Sequence, residues 1–150
     1  MGQSLVKNYL HIVFSTKNRF PWITPVIQDE LFQYLGGICR QLESPAVQVG
    51  GYRDHVHILC SLSKNIALAN FMREVKSNSS KWIKTKHINL NNFHWQNGYG
   101  AFSVNSSNIA PVIQYIANQE AHHKKLSFQK EYVKFLDESH VEYDDRYVWD

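Results

Sequence analysis

The stretch GGYRDHVHILCSL, residues 50–62, carries two histidines separated by one valine, His55 and His57. In an extended chain, residues i and i+2 point to the same face. Both imidazoles can therefore reach one divalent ion, although such a pair also serves as an ordinary hydrogen-bonded polar face. A second candidate group lies in NIAPVIQYIANQEAHH, residues 108–123. At helical spacing Tyr115 and Gln119 stand one turn apart, and His122 continues the same edge. The plainer reading is a boundary tyrosine packing its ring above a solvated glutamine. Taken together, the residue types allow a sharper chemistry. Two imidazoles and an amide oxygen can hold a cation with open positions, and a nearby tyrosine hydroxyl can attack a phosphodiester. A covalent phosphotyrosine would keep the bond energy for rejoining, without ATP.

These groups need elements to position them. Residues 8–15 alternate, with Leu10, Ile12 and Phe14 on one side and Tyr9, His11 and Val13 on the other, which predicts a half-buried strand. A basic loop, 16–25, follows, with Thr24 a candidate N-cap and Pro25 the first helical residue. The spacing of Ile27, Leu31, Leu35 and Ile38 predicts a helix over 26–42, weakened by Gly36-Gly37. Segments 46–52 and 55–62 read as a hairpin about Arg53-Asp54. In it Val56, Ile58, Cys60 and Leu62 face the core, and His55, His57, Leu59 and Ser61 face away. Then come a basic helix over 65–86, a short strand over 100–104, and a helix over 108–122 capped by Asn108. A short helix and an extended acidic tail occupy 128–150. The order β-α-β-β-α-β-α predicts an α+β, ferredoxin-like antiparallel sheet with helices on one face, plus an extra C-terminal helix bearing Tyr115. The histidines would then look out from the free face. The whole chain, 1–150, reads as one domain, with 128–150 as its C-terminal acidic extension.

A chain of 150 residues with 43% hydrophobic content suits one soluble globular unit. No apolar run is long enough for a membrane span, and MGQSLVKNYL lacks a signal-peptide layout. Gly2 fits a myristoylation pattern only in part, because Val6 stands where Ser or Thr belongs. Cys39 and Cys60, without metal-type spacing, read as reduced thiols of a cytoplasmic protein. Charge is unevenly spread: residues 131–150 hold seven of the 13 acids and two of the 16 bases, leaving a net +8 on residues 1–130. A basic body suggests a polyanionic partner. On the basic helix, Arg73, Lys76, Lys81 and Lys84 are candidate phosphate contacts, with Asn78, Ser79 and Ser80 as neutral donors. Lys17 and Arg19 could also reach nucleic acid. Trp95 and Tyr99 could stack on an unpaired base or could equally belong to the core.

The segments YLHIVFSTKNR, GGYRDHVHILCSL, FMREVKSNSSKW, FHWQNGYGAFSV and VIQYIANQEAHHKKLSFQKEY resemble, in order and over nearly the whole chain, the small single-tyrosine transposases of the His-hydrophobic-His (HUH) nuclease class, the insertion sequence 200/605 family. The acidic tail resembles a subgroup that includes relatives processing repeated palindromic elements. The resemblance implies that His55, His57 and Gln119 are metal ligands, that Tyr115 is the nucleophile, and that the ion is Mg²⁺ or Mn²⁺. It also implies a homodimer, with active sites in cis or shared between subunits. The substrate would be single-stranded DNA beside hairpins, cut and rejoined through a 5′-phosphotyrosine. His122 is a candidate general base. Tyr132 is a rival nucleophile by type but lacks the Tyr-x-x-x-Gln context. Two rivals remain: a non-cleaving hairpin-binding module of the same fold, and a metal hydrolase at His-x-His that leaves no protein adduct. The second lacks an obvious carboxylate set near that strand.

Overall fold

The alternation in the first strand decides the architecture, because it gives the sheet two faces that both need cover. The protein is described here from a computed structural model, which covers residues 2–150. Four antiparallel strands form one sheet: β1 (Tyr9–Ser15), β2 (Ala46–Tyr52), β3 (His55–Ser61) and β4 (Gly100–Ser103), in the spatial order β2-β3-β1-β4. On one face Ile12 and Phe14 of β1 join Val56, Ile58 and Cys60 of β3, all fully buried, beneath α1 (Pro25–Gln41) and α2 (Leu68–Lys84). Two mid-helix glycines cost roughly 1 kcal/mol each. Burial of Ile27, Leu31, Leu35 and Ile38 contributes about 1.5–3 kcal/mol each, so packing wins and α1 runs unbroken through Gly36-Gly37. Thr24 precedes Pro25 in extended conformation, but its side chain makes no capping bond.

The opposite face is not free. It carries His11 and Val13 of β1, His55, His57 and Leu59 of β3, and Phe102 of β4, all buried. Three helices lie on that side: α3 (Ile109–Ala117), α4 (Gln119–His123) and α5 (Phe128–Glu138). The reason is the apolar stripe of α5. Phe128, Tyr132 and Leu136 recur at every fourth residue and close with Val13 and Phe102 into a second buried cluster. The segment beyond it is not an extended tail either. It turns back, so that the Gly98 amide donates to the Asp150 carbonyl (2.9 Å) and Arg19 donates to the Trp149 carbonyl (2.8 Å). Trp149 packs against that cluster.

The single helix expected over 108–122 is broken. Asn118 adopts φ −98°, ψ 20°, outside helical values, and separates α3 from α4. Asparagine is a weak helix former that tolerates such a bend. Asn108 does not cap with its side chain; Asn105 instead accepts from the Ser107 amide at 3.2 Å. No helix is long and apolar enough to cross a membrane among the described residues.

Gly50 sets how closely α3 approaches the sheet. A Cβ there would lie 2.6 Å from the Ile116 carbonyl oxygen and 2.8 Å from its Cγ2. Ile116 is fully packed and neighbours Tyr115, so Gly50→Val should push α3 off β2. The expected loss is about 1–3 kcal/mol, read as a lowered Tm in thermal denaturation with the α1–α2 face retained by circular dichroism.

Candidate metal and nucleophile site

Three imidazoles converge from two elements. His55 and His57 come from β3, one residue apart on one strand face, as the spacing requires. His123 comes from the end of α4. Each ring is anchored through its Nδ1. His55 Nδ1 lies 2.8 Å from Asp54 Oδ1, His57 Nδ1 lies 2.8 Å from His11 Nε2, and His123 Nδ1 lies 2.6 Å from the Leu126 carbonyl. A carboxylate and a carbonyl only accept, so His55 and His123 donate from Nδ1. Burial, then the neighbouring His57, push His11 down to about 3. His57 itself is pushed down to about 4, first by burial, with Glu131 opposing. With Nδ1 so engaged, the Nε2 atom of each ring points inward. Such outer anchoring orients the rings in the way that metal-binding histidines need.

Two oxygen donors meet those nitrogens. Gln119 Oε1 lies 3.0 Å from His55 Nε2 and 2.9 Å from His123 Nε2. Its amide nitrogen donates to the Tyr115 carbonyl at 3.3 Å, which orients the oxygen toward the rings. Glu131 of α5 places Oε1 3.0 Å from His57 Nε2 and 3.4 Å from His55 Nε2. Its Oε2 lies 3.2 Å from the Nε2 atoms of both His122 and His123. Burial works against the Glu131 carboxylate, yet bonds from His123 and His57 hold it well below the usual range. Burial also opposes the charged form of His123, but its bond to Glu131, the charge of that carboxylate, the Leu126 carbonyl and Asp54 together raise it. One donor atom each from His55, His57, His123 and Glu131 lie within 4.8 Å of one another. The donor set therefore fits a divalent cation. The sequence-derived ligands His55, His57 and Gln119 are all present in it.

Tyr115 joins this cluster within the same chain. Its half-buried hydroxyl donates to Glu131 Oε2 and lies 3.3 Å from His122 Nε2. Burial, then the Glu131 charge, push the phenol well above its ordinary value. A cavity of about 430 Å³ opens beside it, bordered by His11, Val112, His122, Lys134 and Phe135. Tyr132, the rival nucleophile, is 4% exposed in the second apolar cluster, and burial pushes it up to about 12.

The basic residues of α2 divide. Arg73 and Lys81 are exposed and Lys84 half-buried. Lys76 instead turns inward and donates to three consecutive carbonyls, Gln96 (2.8 Å), Asn97 (3.0 Å) and Gly98 (2.6 Å). Burial pushes its ammonium down to about 8. Trp95 is in the core, its indole donating to Ser79 Oγ at 2.9 Å. Tyr99 is half-buried and borders a groove of about 420 Å³ with Arg73, Ser77, Ser80 and Asn97. Cys39 and Cys60 are buried free thiols, both pushed up to about 12 by burial.

The fold is shared with solved transposases. A Deinococcus radiodurans R1 protein described as a transposase has a TM-score of 0.61 at 23% identity, covering 79% of this chain and 96% of that one. A REP-associated tyrosine transposase bound to a REP hairpin gives 0.59 at 14% identity, covering 84% and 74%. No curated protein matches. The family profile described as IS200-like transposase matches residues 4–119, and the chain belongs to that family of DNA-processing enzymes. His123 and Glu131 lie beyond the matched segment. They and His11 were missed by the sequence reading; the only local signal was the apolar spacing that makes α5 a packing helix and so carries Glu131 inward.

Lys76→Ala should release the 96–98 loop and lower stability by about 2 kcal/mol, from bonds to a charged donor. Arg73→Ala should stay within about 0.5 kcal/mol of the parent. Thermal denaturation of the two variants measures the difference, and equal losses would contradict the division.

Proposed function

We propose that this protein cleaves and rejoins single-stranded DNA beside hairpins, with Tyr115 as nucleophile. The observation that carries the proposal is the meeting of the Tyr115 hydroxyl with the His55, His57 and Gln119 donor set around one carboxylate. The hairpin in the solved REP-associated relative supports the substrate class.

The tyrosine oxygen attacks a backbone phosphorus, forming the Tyr115 O–P bond as the P–O3′ bond breaks. The products are a 5′-phosphotyrosine and a strand ending in a free 3′-OH. The phenol proton passes to the nearest acceptor, Glu131 Oε2 or His122 Nε2. Attack by a 3′-OH on the phosphotyrosine reverses the step and restores the phenol. A divalent ion held by His55, His57 and Gln119, Mg²⁺ or Mn²⁺ by family resemblance, would supply polarisation of the phosphate. The cavity beside Tyr115 gives the phosphate a way to the hydroxyl, and Lys134 at its border offers a positive charge.

Arg73, Lys81 and Lys84 are proposed to contact the DNA backbone. Lys76 acts through the loop it holds, which presents Asn97 and Tyr99 to the groove. One chain brings Tyr115 to its own histidines, which favours a cis site. The homodimer expected from the resemblance is tested by sedimentation with and without hairpin DNA.

The test is a denaturing gel with labelled single-stranded DNA carrying hairpins from the native locus. Label should appear on the protein with Mg²⁺ or Mn²⁺ and vanish with EDTA. Tyr115→Phe should lower adduct formation by on the order of 10³-fold or more, while hairpin affinity stays within about threefold. A hairpin binder would show full binding and no adduct in every lane; a metal hydrolase would release cut DNA without labelled protein.

A further inference from the structure

The donors inside the site outnumber those assigned above. His123 Nε2 faces Gln119 Oε1 at 2.9 Å and Glu131 Oε2 at 3.2 Å. Its Nδ1 hydrogen is committed to the Leu126 carbonyl, so Nε2 is the atom that the ring turns to these two oxygens. His55 is in the same position: Nδ1 is engaged by Asp54, and Nε2 faces Gln119 and Glu131. Ring nitrogens from His55, His57 and His123 and a carboxylate oxygen of Glu131 gathered at one point are the kind of donor arrangement that one divalent ion takes.

The spacing agrees. At metal–ligand bonds of about 2.1 Å, neighbouring donors around one ion stand about 3.0–3.4 Å apart. The five nitrogen–oxygen separations in the cluster, His55 and His123 to Gln119 and His55, His57 and His123 to Glu131, run from 2.9 to 3.4 Å. We infer that His123 and Glu131 are metal ligands together with His55, His57 and Gln119, and that the centre takes a first-row transition ion such as Mn²⁺, Co²⁺ or Zn²⁺ in preference to Mg²⁺. Three imidazoles and one carboxylate suit those ions, whereas Mg²⁺ favours oxygen and keeps its water. Glu131 then links the two halves of the site: one oxygen turns to the histidines of β3, the other to Tyr115 and α4. The inference rests on the proposed donor set but reaches further, to which residues complete it and which ion fills it.

The test titrates the full chain, without DNA, with Mn²⁺ and separately with Mg²⁺ in competition, following free Mn²⁺ by electron paramagnetic resonance. Mn²⁺ should bind at least about 100-fold more tightly than Mg²⁺. Glu131→Gln and His123→Ala should each weaken Mn²⁺ binding by about 10-fold or more. His55→Ala serves as the reference. If the parent binds no ion, or if His55→Ala has no effect, the underlying donor set is wrong. If His55→Ala weakens binding but the other two variants do not, or if Mg²⁺ competes equally, the donor set stands and this inference falls. Because both added residues are packed inside the site, their variants are checked for folding by thermal denaturation. Pulsed resonance on the unmodified protein gives an independent reading: coupling of Mn²⁺ to three imidazole nitrogens is expected, and coupling to two overturns the inference.

Discussion

A carboxylate withdrawn from water is several kcal/mol less stable unless donors or cations replace its hydration. Glu131, 1% exposed, is such a group, and the second face of the sheet is arranged around it. It reaches that position only because α5 presses Phe128, Tyr132 and Leu136 onto Val13 and Phe102. Once there, it draws His57, His122, His123 and the Tyr115 hydroxyl to its two oxygens. Those groups are themselves held from behind, by His11 and the Leu126 carbonyl among others. Hydrophobic burial delivers the charge, and the charge sets the positions of the rings. Neither works alone: without the apolar stripe the carboxylate would return to water, and without the rings its burial would go uncompensated.

The parts of this site that are legible in the sequence are those governed by local periods. Alternation along a strand puts His55 and His57 on one face, and a helical turn brings Gln119 under Tyr115. The family resemblance then implies roles for those four residues. What local periods cannot give is the partner across space. Glu131 sits in a stretch rich in acids and reads as one more solvated charge; only the fold of α5 over the sheet reveals otherwise. His11 was placed on the correct side of β1, but its bond to His57 depends on β1–β3 register. The same limit applies to Lys76. Its helix was recognised as basic, yet three carbonyls of a distant loop claim its ammonium. The ferredoxin-like sheet followed from the succession of elements, whereas the cover on its second face did not, because the last helix looked like an appendage.

The division of labour between the two faces follows from the same packing. The basic residues of α2 belong to the layer that covers the Ile12–Phe14 side, while Tyr115 and the rings lie on the other. On the proposed function, DNA held at α2 has to pass round the sheet before a phosphate can meet the tyrosine. A structured hairpin on one side and a flexible single strand on the other meet that geometry better than continuous duplex, whose persistence length is far greater than one small domain.

The order of the chain also assigns the two layers different places in time. Every buried residue of the larger core lies between Ile12 and Trp95, whereas Tyr115, Gln119, His123 and Glu131 all follow the last strand. A chain emerging from the ribosome can thus complete its main core before any of these four residues is synthesised. The smaller layer has only five buried apolar residues in its own cluster, and a segment with fewer buried apolar contacts opens more easily. Amide exchange should show α3–α5 opening while the α1–α2 side remains protected; uniform protection of both would contradict this order. On the proposed function, an enzyme built in that sequence stays chemically silent until its last helix has been made.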